Sequence, residues 1–355
     1  MSSDVYFTTV DCKKHKSPLL KIKKIINRCA PEDFFKKNEI IAVKTHFGEL
    51  GNTAFTRPIF LRPVLEKLGN LGTKPFLTDT NTLYVGMRTN SVDHLHNATL
   101  NGFNYSTLQV PVIIADGLRG DNSADIDIDG ELLKTVHIAA DIASADGMMV
   151  VSHFKGHEVT GFGGAIKNIS MGCSCRKGKL DMHSDSCPTV VPDLCTSCGR
   201  CLGFCASNAI DMTPKAFISD RCTGCAMCIS VCPESAIHIN WNASSASTQK
   251  KMAEYAAGVF KALNNKLVFL SIITSVSPAC DCYGGNDRPV VADIGFAAST
   301  DPVALDKACH DLVIKANGGV DPFAAIYPSV DASIQLAHAE KLGIGSTDYR
   351  LIEVD

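Results

Sequence analysis

The chain has 355 residues, 45% of them apolar, more than one compact core usually takes, so two domains are expected. A formal charge of -3, from 34 Lys and Arg against 37 Asp and Glu, excludes the basic field that a nucleic-acid binder needs. Sixteen cysteines in so long a chain, half of them bunched in metal-binding spacing, argue against a secreted disulfide scaffold and for reduced thiolates in an anaerobic cytoplasm.

In chain order, Asp4, Asp11 and Cys12 break any apolar leader, which predicts a cytoplasmic protein. Lys13, Lys14, Lys16, Lys21, Lys23, Lys24 and Arg28 are interleaved with Leu19, Leu20, Ile22, Ile25 and Ile26, the spacing of an amphipathic helix with a solvated basic face. Strand-like runs follow at 40–44, 75–78, 110–115, 147–151, 267–273 and 290–296. Helix-like stretches at 58–68, 91–101, 248–263, 302–315 and 331–342 alternate with them. That alternation predicts an α/β fold with a mostly parallel sheet. The longest uncharged apolar run, 267–280, is shorter than the roughly 20 residues that span a bilayer, so no membrane partner is expected.

Ligands of such sheets bind beyond the carboxyl ends of the strands, and the residues there are polar. His46 and Glu49 follow the first run; Asp79 and Asn81 follow the second; His153, Lys155, His157 and Glu158 follow the fourth; Ser299, Thr300 and Asp301 follow the last. If these strands are parallel, the groups face one cleft. His46, His153 and His157 are candidate proton carriers, and Lys155 and Lys167 candidate holders of a small anionic substrate. Gly161, Gly163 and Gly164, before Ala165, could offer N–H groups to an anion, but Ile166 spoils a dinucleotide fingerprint and no Gly-Lys-Ser/Thr appears. Cys173, Cys175, His183, Cys187, Cys280 and Cys282 are candidates for a second soft metal site of zinc, iron or nickel, or for reactive thiolates. Cys12, Cys29 and Cys309 are not expected to be ligands.

Two runs share one template: Cys195-x2-Cys198-x2-Cys201-x3-Cys205, and 27 residues later Cys222-x2-Cys225-x2-Cys228-x3-Cys232-Pro233. Ala209-Ile210 and Ala236-Ile237 repeat at the same offset, so the segment is an internal duplication. Three thiolates from one tight loop cap one cubane while the fourth reaches the other, so the ligands cross over. Cys195, Cys198, Cys201 and Cys232 are assigned to one 4Fe-4S cluster, and Cys222, Cys225, Cys228 and Cys205 to a second. Zinc is the plainer alternative, but it takes four closed ligands rather than two interlocked sets of three plus one. Only Arg200 is charged within either run, so a potential low in the range of about -700 to +450 mV is expected.

This segment resembles bacterial dicluster ferredoxins over some 55 residues, with Ala206 in place of the usual proline. The rest of the chain, roughly 40–306, is similar to the domain of unknown function 362 family. The likeness rests on His153-Phe-Lys155-Gly-His157, Gly161-Phe-Gly-Gly-Ala-Ile-Lys167-Asn168, Gly172-Cys173, Gly178-Lys179 and Cys280-Asp-Cys282. It implies an α/β host in anaerobic or metal-rich metabolism, often with an inserted ferredoxin module, and names no reaction. The expected organisation is a host α/β domain at 1–187 and 243–355, with an inserted ferredoxin-like α+β dicluster domain at 188–242. The expected function is an oxidoreductase that passes low-potential electrons from a soluble redox partner protein through two 4Fe-4S clusters to a His/Lys/Cys site. The alternatives are a ferredoxin-like carrier that docks a partner, and a metal or cofactor assembly protein with an additional metal ion in the host.

Overall fold

The computed structural model describes residues 2–12, 17–241 and 243–354. Lys13, Lys14 and Lys16 of the basic segment, and Asn242 at the expected domain boundary, lie outside the described residues. Eight strands form one sheet: β1 (Ser3–Thr9), β2 (Ile40–Lys44), β3 (Lys74–Asp79), β4 (Val112–Ile114), β5 (Gly147–His153), β6 (Leu267–Ile273), β7 (Gly295–Ser299) and β8 (Tyr349–Glu353). Their spatial order is β8-β1-β7-β6-β5-β2-β3-β4.

Burial on both faces explains why the central strands are continuous apolar runs rather than alternating ones. Along β5, Met148 and Val150 enter one core while Met149 and Val151 enter the other; along β6, Phe269 and Ile273 oppose Val268, Leu270 and Ile272. Successive side chains of a strand point to opposite faces, so each residue serves one layer only. Helices Ser245–Ala262 and Pro302–Ala316 cover the first face through Met252, Val259, Val303 and Leu305. Helices Pro18–Arg28 and Arg62–Asn70 cover the second through Ile22, Ile25, Val64 and Leu68. The expected basic helix therefore forms, with Ser17 accepting from the Leu19 N–H at its start.

Two expectations about the last strand are corrected. The apolar run at 290–296 becomes a strand only from Gly295 onward, and β7 is antiparallel to both neighbours, β1 and β6. A Cβ at Gly295 would lie 2.1 Å from the carbonyl oxygen of Thr8, so this close entry of the strand requires glycine. Because β7 alone runs backwards, its carboxyl end emerges at the opposite edge of the sheet from those of β2, β3, β5 and β6. Ser299, Thr300 and Asp301 are therefore not part of the cleft. Ser299 Oγ donates to the carbonyl of Asp4, and Asp301 accepts from the Val303 and Ala304 N–H groups as a helix cap. Strand β1 and the edge strand β8 beside it have no counterpart among the expected runs.

The segment between Cys187 and Trp241 builds two short antiparallel pairs, Thr189–Val190 with Ile237–His238 and Ile210–Met212 with Ala216–Ile218. A core of its own gathers Cys195, Cys201, Ile210, Cys228, Ile229 and Ile237. Leu83 and Leu180, from outside the segment, join that core.

Candidate functional site

A cavity of about 480 Å³ opens at the carboxyl ends of β2, β3 and β5. Each of these strands releases polar side chains into it: Lys44 and His46 from β2, Asp79, Tyr84 and Arg88 from β3 and its loop, Lys155 and His157 from beyond β5. The loop after β6 adds Cys280, Cys282 and Tyr283. Lys167 and Asn168 come from helix Ala165–Ser170, and Lys179 and His183 from helix Arg176–His183. Of the residues expected from sequence, His46, Lys155, His157, Lys167, His183, Cys280 and Cys282 meet in this one space. The volume is that of an ordinary small-molecule site.

The wall is rich in cations. Lys44 pairs with Asp79 at 2.9 Å, Arg88 with Glu49 at 3.0 Å, and Lys155 with Asp281 at 3.2 Å, all in buried surroundings. Burial pushes the Asp79 carboxyl up, yet the Lys44 ammonium and the His94 ring, 3.7 Å from Oδ2, outweigh it and hold the group well below its usual range. Among the described residues, Lys167 and Lys179 have no carboxylate partner. Lys179 Nζ donates to Thr80 Oγ1 and the Ser174 carbonyl, each at 2.6 Å, and Lys167 Nζ donates to Cys280 Sγ at 3.2 Å. These two ammonium groups, matched by oxygens and sulfur rather than by a carboxylate, leave room for an anion.

The cavity histidines His46, His157 and His183 are all pushed toward the neutral form. Burial, reinforced by Lys167, pushes His183 down to about 4, and the same two causes hold His157 well below its ordinary value. His46 is lowered by burial and by the Arg88 guanidinium. Its Nδ1 accepts from the Gly48 N–H at 2.9 Å while Nε2 lies 2.9 Å from Arg88 Nη1, so donors confront both ring nitrogens. With Nδ1 accepting, the proton of the neutral ring is on Nε2, where it can be given to the Cys282 sulfur but not to Arg88, itself a donor.

Cys280 and Cys282 lie side by side, Sγ to Sγ 2.6 Å, with His46 Nε2 3.8 Å from Cys282 Sγ. The hydrogen bond from Cys280, with Lys167 and His46 close by, makes Cys282 the sulfur that ionises more readily; the same bond pushes Cys280 up.

Three sequence expectations are corrected. His153 lies behind the cavity wall: its Nδ1 meets the Asp281 carboxylate at 2.9 Å and its Nε2 the Thr274 carbonyl at 2.9 Å. It touches the Cys280–Cys282 loop through Asp281 and does not line the cavity. Cys173 and Cys175 do not join Cys280 and Cys282. Cys173 is in the apolar core with its Sγ 4.0 Å from Met148 Sδ, and burial pushes its thiol up to about 12. Cys175 is likewise buried, and Cys187 Sγ lies against the Cys222 carbonyl at 3.8 Å. Finally, the N–H groups of the helix start after Gly164 are already taken by a carboxyl group from within the chain. Asp306 accepts from the Ala165 and Ile166 N–H groups at 2.7 and 2.9 Å, and a Cβ at Gly164 would lie 2.2 Å from that carboxylate.

The eight clustered cysteines surround two further cavities. Cys195, Cys198, Cys201 and Cys232 line one; Cys205, Cys222, Cys225 and Cys228 line the other. Each loop bends through positive φ at matching positions, Ser197 and Gly199 in the first, Gly224 and Ala226 in the second. Such bends turn successive N–H groups inward. The crossing cysteines match too: Ala209 N–H donates to Cys205 Sγ and Ala236 N–H to Cys232 Sγ, both at 3.2 Å. Among the described residues, no three His, Cys, Asp or Glu side chains converge as they would around a single metal ion. The donor sets, soft sulfur arranged around a space with amides turned inward, fit polynuclear iron-sulfur groups.

Residues 41–311 match the model of a family described as domain of unknown function (DUF362). The chain belongs to this family. The match spans every cavity residue named above. Among solved structures, the lactate racemase apoprotein from Thermoanaerobacterium thermosaccharolyticum is 13% identical with a TM-score of 0.41, over 87% of this chain and 56% of that one. A structural-genomics crystal structure from Thermotoga maritima is 10% identical with a TM-score of 0.41, over 88% of this chain and 59% of that one. The chain thus spans less than two thirds of either. No curated protein matches.

Sequence reasoning on this DUF362 chain missed Tyr84, Arg88 and Trp241. Arg88 Nη2 donates to Tyr84 Oη at 2.6 Å, and Tyr84 Oη donates to the Cys282 carbonyl at 3.0 Å, so the two tie the loop after β3 to the cysteine pair. The available signal was their position, one loop beyond a strand that ends in Asp79. Trp241 meets His183 edge-on at 4.9 Å between ring centres and carries no local signal of that contact.

Proposed function

We propose that residues 188–242 form an inserted ferredoxin-like domain with two 4Fe-4S clusters, and that the chain is an oxidoreductase passing their electrons to a small anionic substrate in the host cavity. Cys195, Cys198, Cys201 and Cys232 would hold one cluster, and Cys222, Cys225, Cys228 and Cys205 the other. The clusters would bring single-electron transfer at low potential from a soluble redox partner. Lys167 and Lys179 bind the anion, Lys155 and His153 keep the Cys280–Cys282 loop in place, and His157, whose Nδ1 accepts from the Val159 N–H, lines the same space with its Nε2–H as a hydrogen-bond donor.

The observation that carries this reading is one shared helix. Arg176–His183 points Lys179 and His183 into the cavity, while Leu180 packs on the second cysteine loop, its Cδ2 3.7 Å from where a Cβ of Gly224 would sit. Leu83 also borders the cavity and packs in the core of the cysteine segment. Trp241, from the segment's own end, lines the cavity as well. A plain carrier needs no such contact and no cation-lined space of this size, so the enzyme reading is favoured over the docking one.

The test is metal and sulfide analysis on protein purified without oxygen. About eight iron and eight sulfide per chain are expected, with Cys198→Ser and Cys225→Ser each removing about half. Zinc in place of iron, or visible absorption that neither substitution changes, ends the proposal.

A further inference from the structure

The pair of buried Cys280 and half-buried Cys282 is not used by cluster binding, and its geometry suits a task that the clusters cannot perform. A 4Fe-4S group passes one electron at a time, whereas most small organic acceptors take two. We infer that Cys280 and Cys282 are a dithiol–disulfide couple that collects two single electrons from the clusters and hands them on as a pair. This inference rests on the electron-transfer function proposed above.

Four observations carry it. The two sulfurs are 2.6 Å apart, well inside van der Waals contact and close to the S–S bond length of about 2.05 Å, so bond formation needs little chain movement. Both sulfurs face the host cavity, where a substrate or an attacking thiol can reach them. Lys167 Nζ stands 3.2 Å from Cys280 Sγ, able to deliver a proton and to steady the charge of a released thiolate. The residue between them, Asp281, is fully buried and clamped by His153 and Lys155, so the pair is presented on a fixed loop. Tyr84 reinforces the same loop by donating to the Cys282 carbonyl.

The step balances as follows. In the oxidised form the two sulfurs share one bond. Two electrons, which the clusters would supply one each and regain from a low-potential one-electron carrier, break it, and two protons complete the thiols. The dithiol then gives two electrons and two protons to the bound anion and regenerates the disulfide. The substrate class is thus an anionic two-electron acceptor.

The experiment uses anaerobically purified full-length protein. After treatment with diamide, a thiol-specific oxidant, the peptide carrying both cysteines should resist N-ethylmaleimide and weigh two hydrogens less than the dithiol. Photoreduced deazaflavin should restore labelling at both sulfurs in the wild type but not in Cys198→Ser/Cys225→Ser. A reductive titration should take up two more electrons per chain in the wild type than in Cys282→Ser, whose iron content stays normal; this comparison stands even if the double variant does not fold. Full labelling after diamide, equal electron uptake in Cys282→Ser, or protection that a chelator reverses with no mass loss would each overturn the inference. Iron-free wild type that still forms the disulfide would instead remove the electron-transfer proposal and leave the couple itself standing.

Discussion

The cysteine segment and the host cavity gather reactive residues in opposite ways. In the segment, eight sulfurs come from two short runs whose backbones repeat the same bends, Ser197 and Gly199 against Gly224 and Ala226. In the cavity, partners are far apart in the chain: His46 and Cys282 are separated by 236 positions, and Lys44 and Asn168 by 124. Local spacing builds the first; only the completed sheet builds the second. The two regions should therefore fail independently when their own residues are changed.

The largest effect expected is at the buried Lys44–Asp79 pair. Asp79→Asn leaves Lys44 without its charged partner, and breaking such a pair costs about 3–5 kcal/mol. The urea midpoint of the host should drop steeply while iron content per folded chain is unchanged; loss of iron in step with host stability would break the comparison. A smaller effect is expected behind the cavity wall. His153→Gln keeps one hydrogen bond and loses the second, at about 1–3 kcal/mol for a buried polar group left unmatched. Its sharper readout is faster alkylation of Cys282, because the Cys280–Cys282 loop is released; an unchanged labelling rate would show that Lys155 alone suffices.

The smallest effect is one of pH. Burial pushes His94, which packs edge-on against Phe47, down to about 4, so the folded chain binds fewer protons there than the unfolded one between about 6.5 and about 4. A depressed histidine contributes stability that is complete above the unfolded value and is lost as pH falls toward the folded one. Denaturant midpoints should decline from pH 7 to pH 5, and His94→Phe should flatten that slope. A slope untouched by His94→Phe would assign the acid sensitivity to other groups.

Much of the host was legible in the chain because its central strands are buried on both faces. Runs 40–44 and 267–273 coincide with β2 and β6 to the residue, since no polar alternation blurs their ends. Polar residues clustered after β2, β3 and β5 likewise marked the cavity, because a parallel sheet sends all those strand ends to one side. The reading failed where direction mattered. Nothing in Gly295–Ser299 states that the strand runs backwards, and that reversal alone removed Ser299, Thr300 and Asp301 from the site.

The sequence by itself determined the cysteine template, its duplication and the expected exchange of Cys205 and Cys232, because those relations lie within a few residues and depend on spacing. It also determined an α/β host, through the length and order of its apolar runs. Only the tertiary structure decided which of several similar polar residues share a space. His153 and His157 look alike in the chain, yet the end of β5 points one to Asp281 and the short strand Lys155–His157 points the other to the cavity. Cys173-Ser-Cys175 and Cys280-Asp-Cys282 have the same pattern, and packing alone consigns one to the core and leaves the other at the cavity wall. The physical reason is that side-chain direction is fixed by strand order and packing over hundreds of residues, which no local pattern encodes.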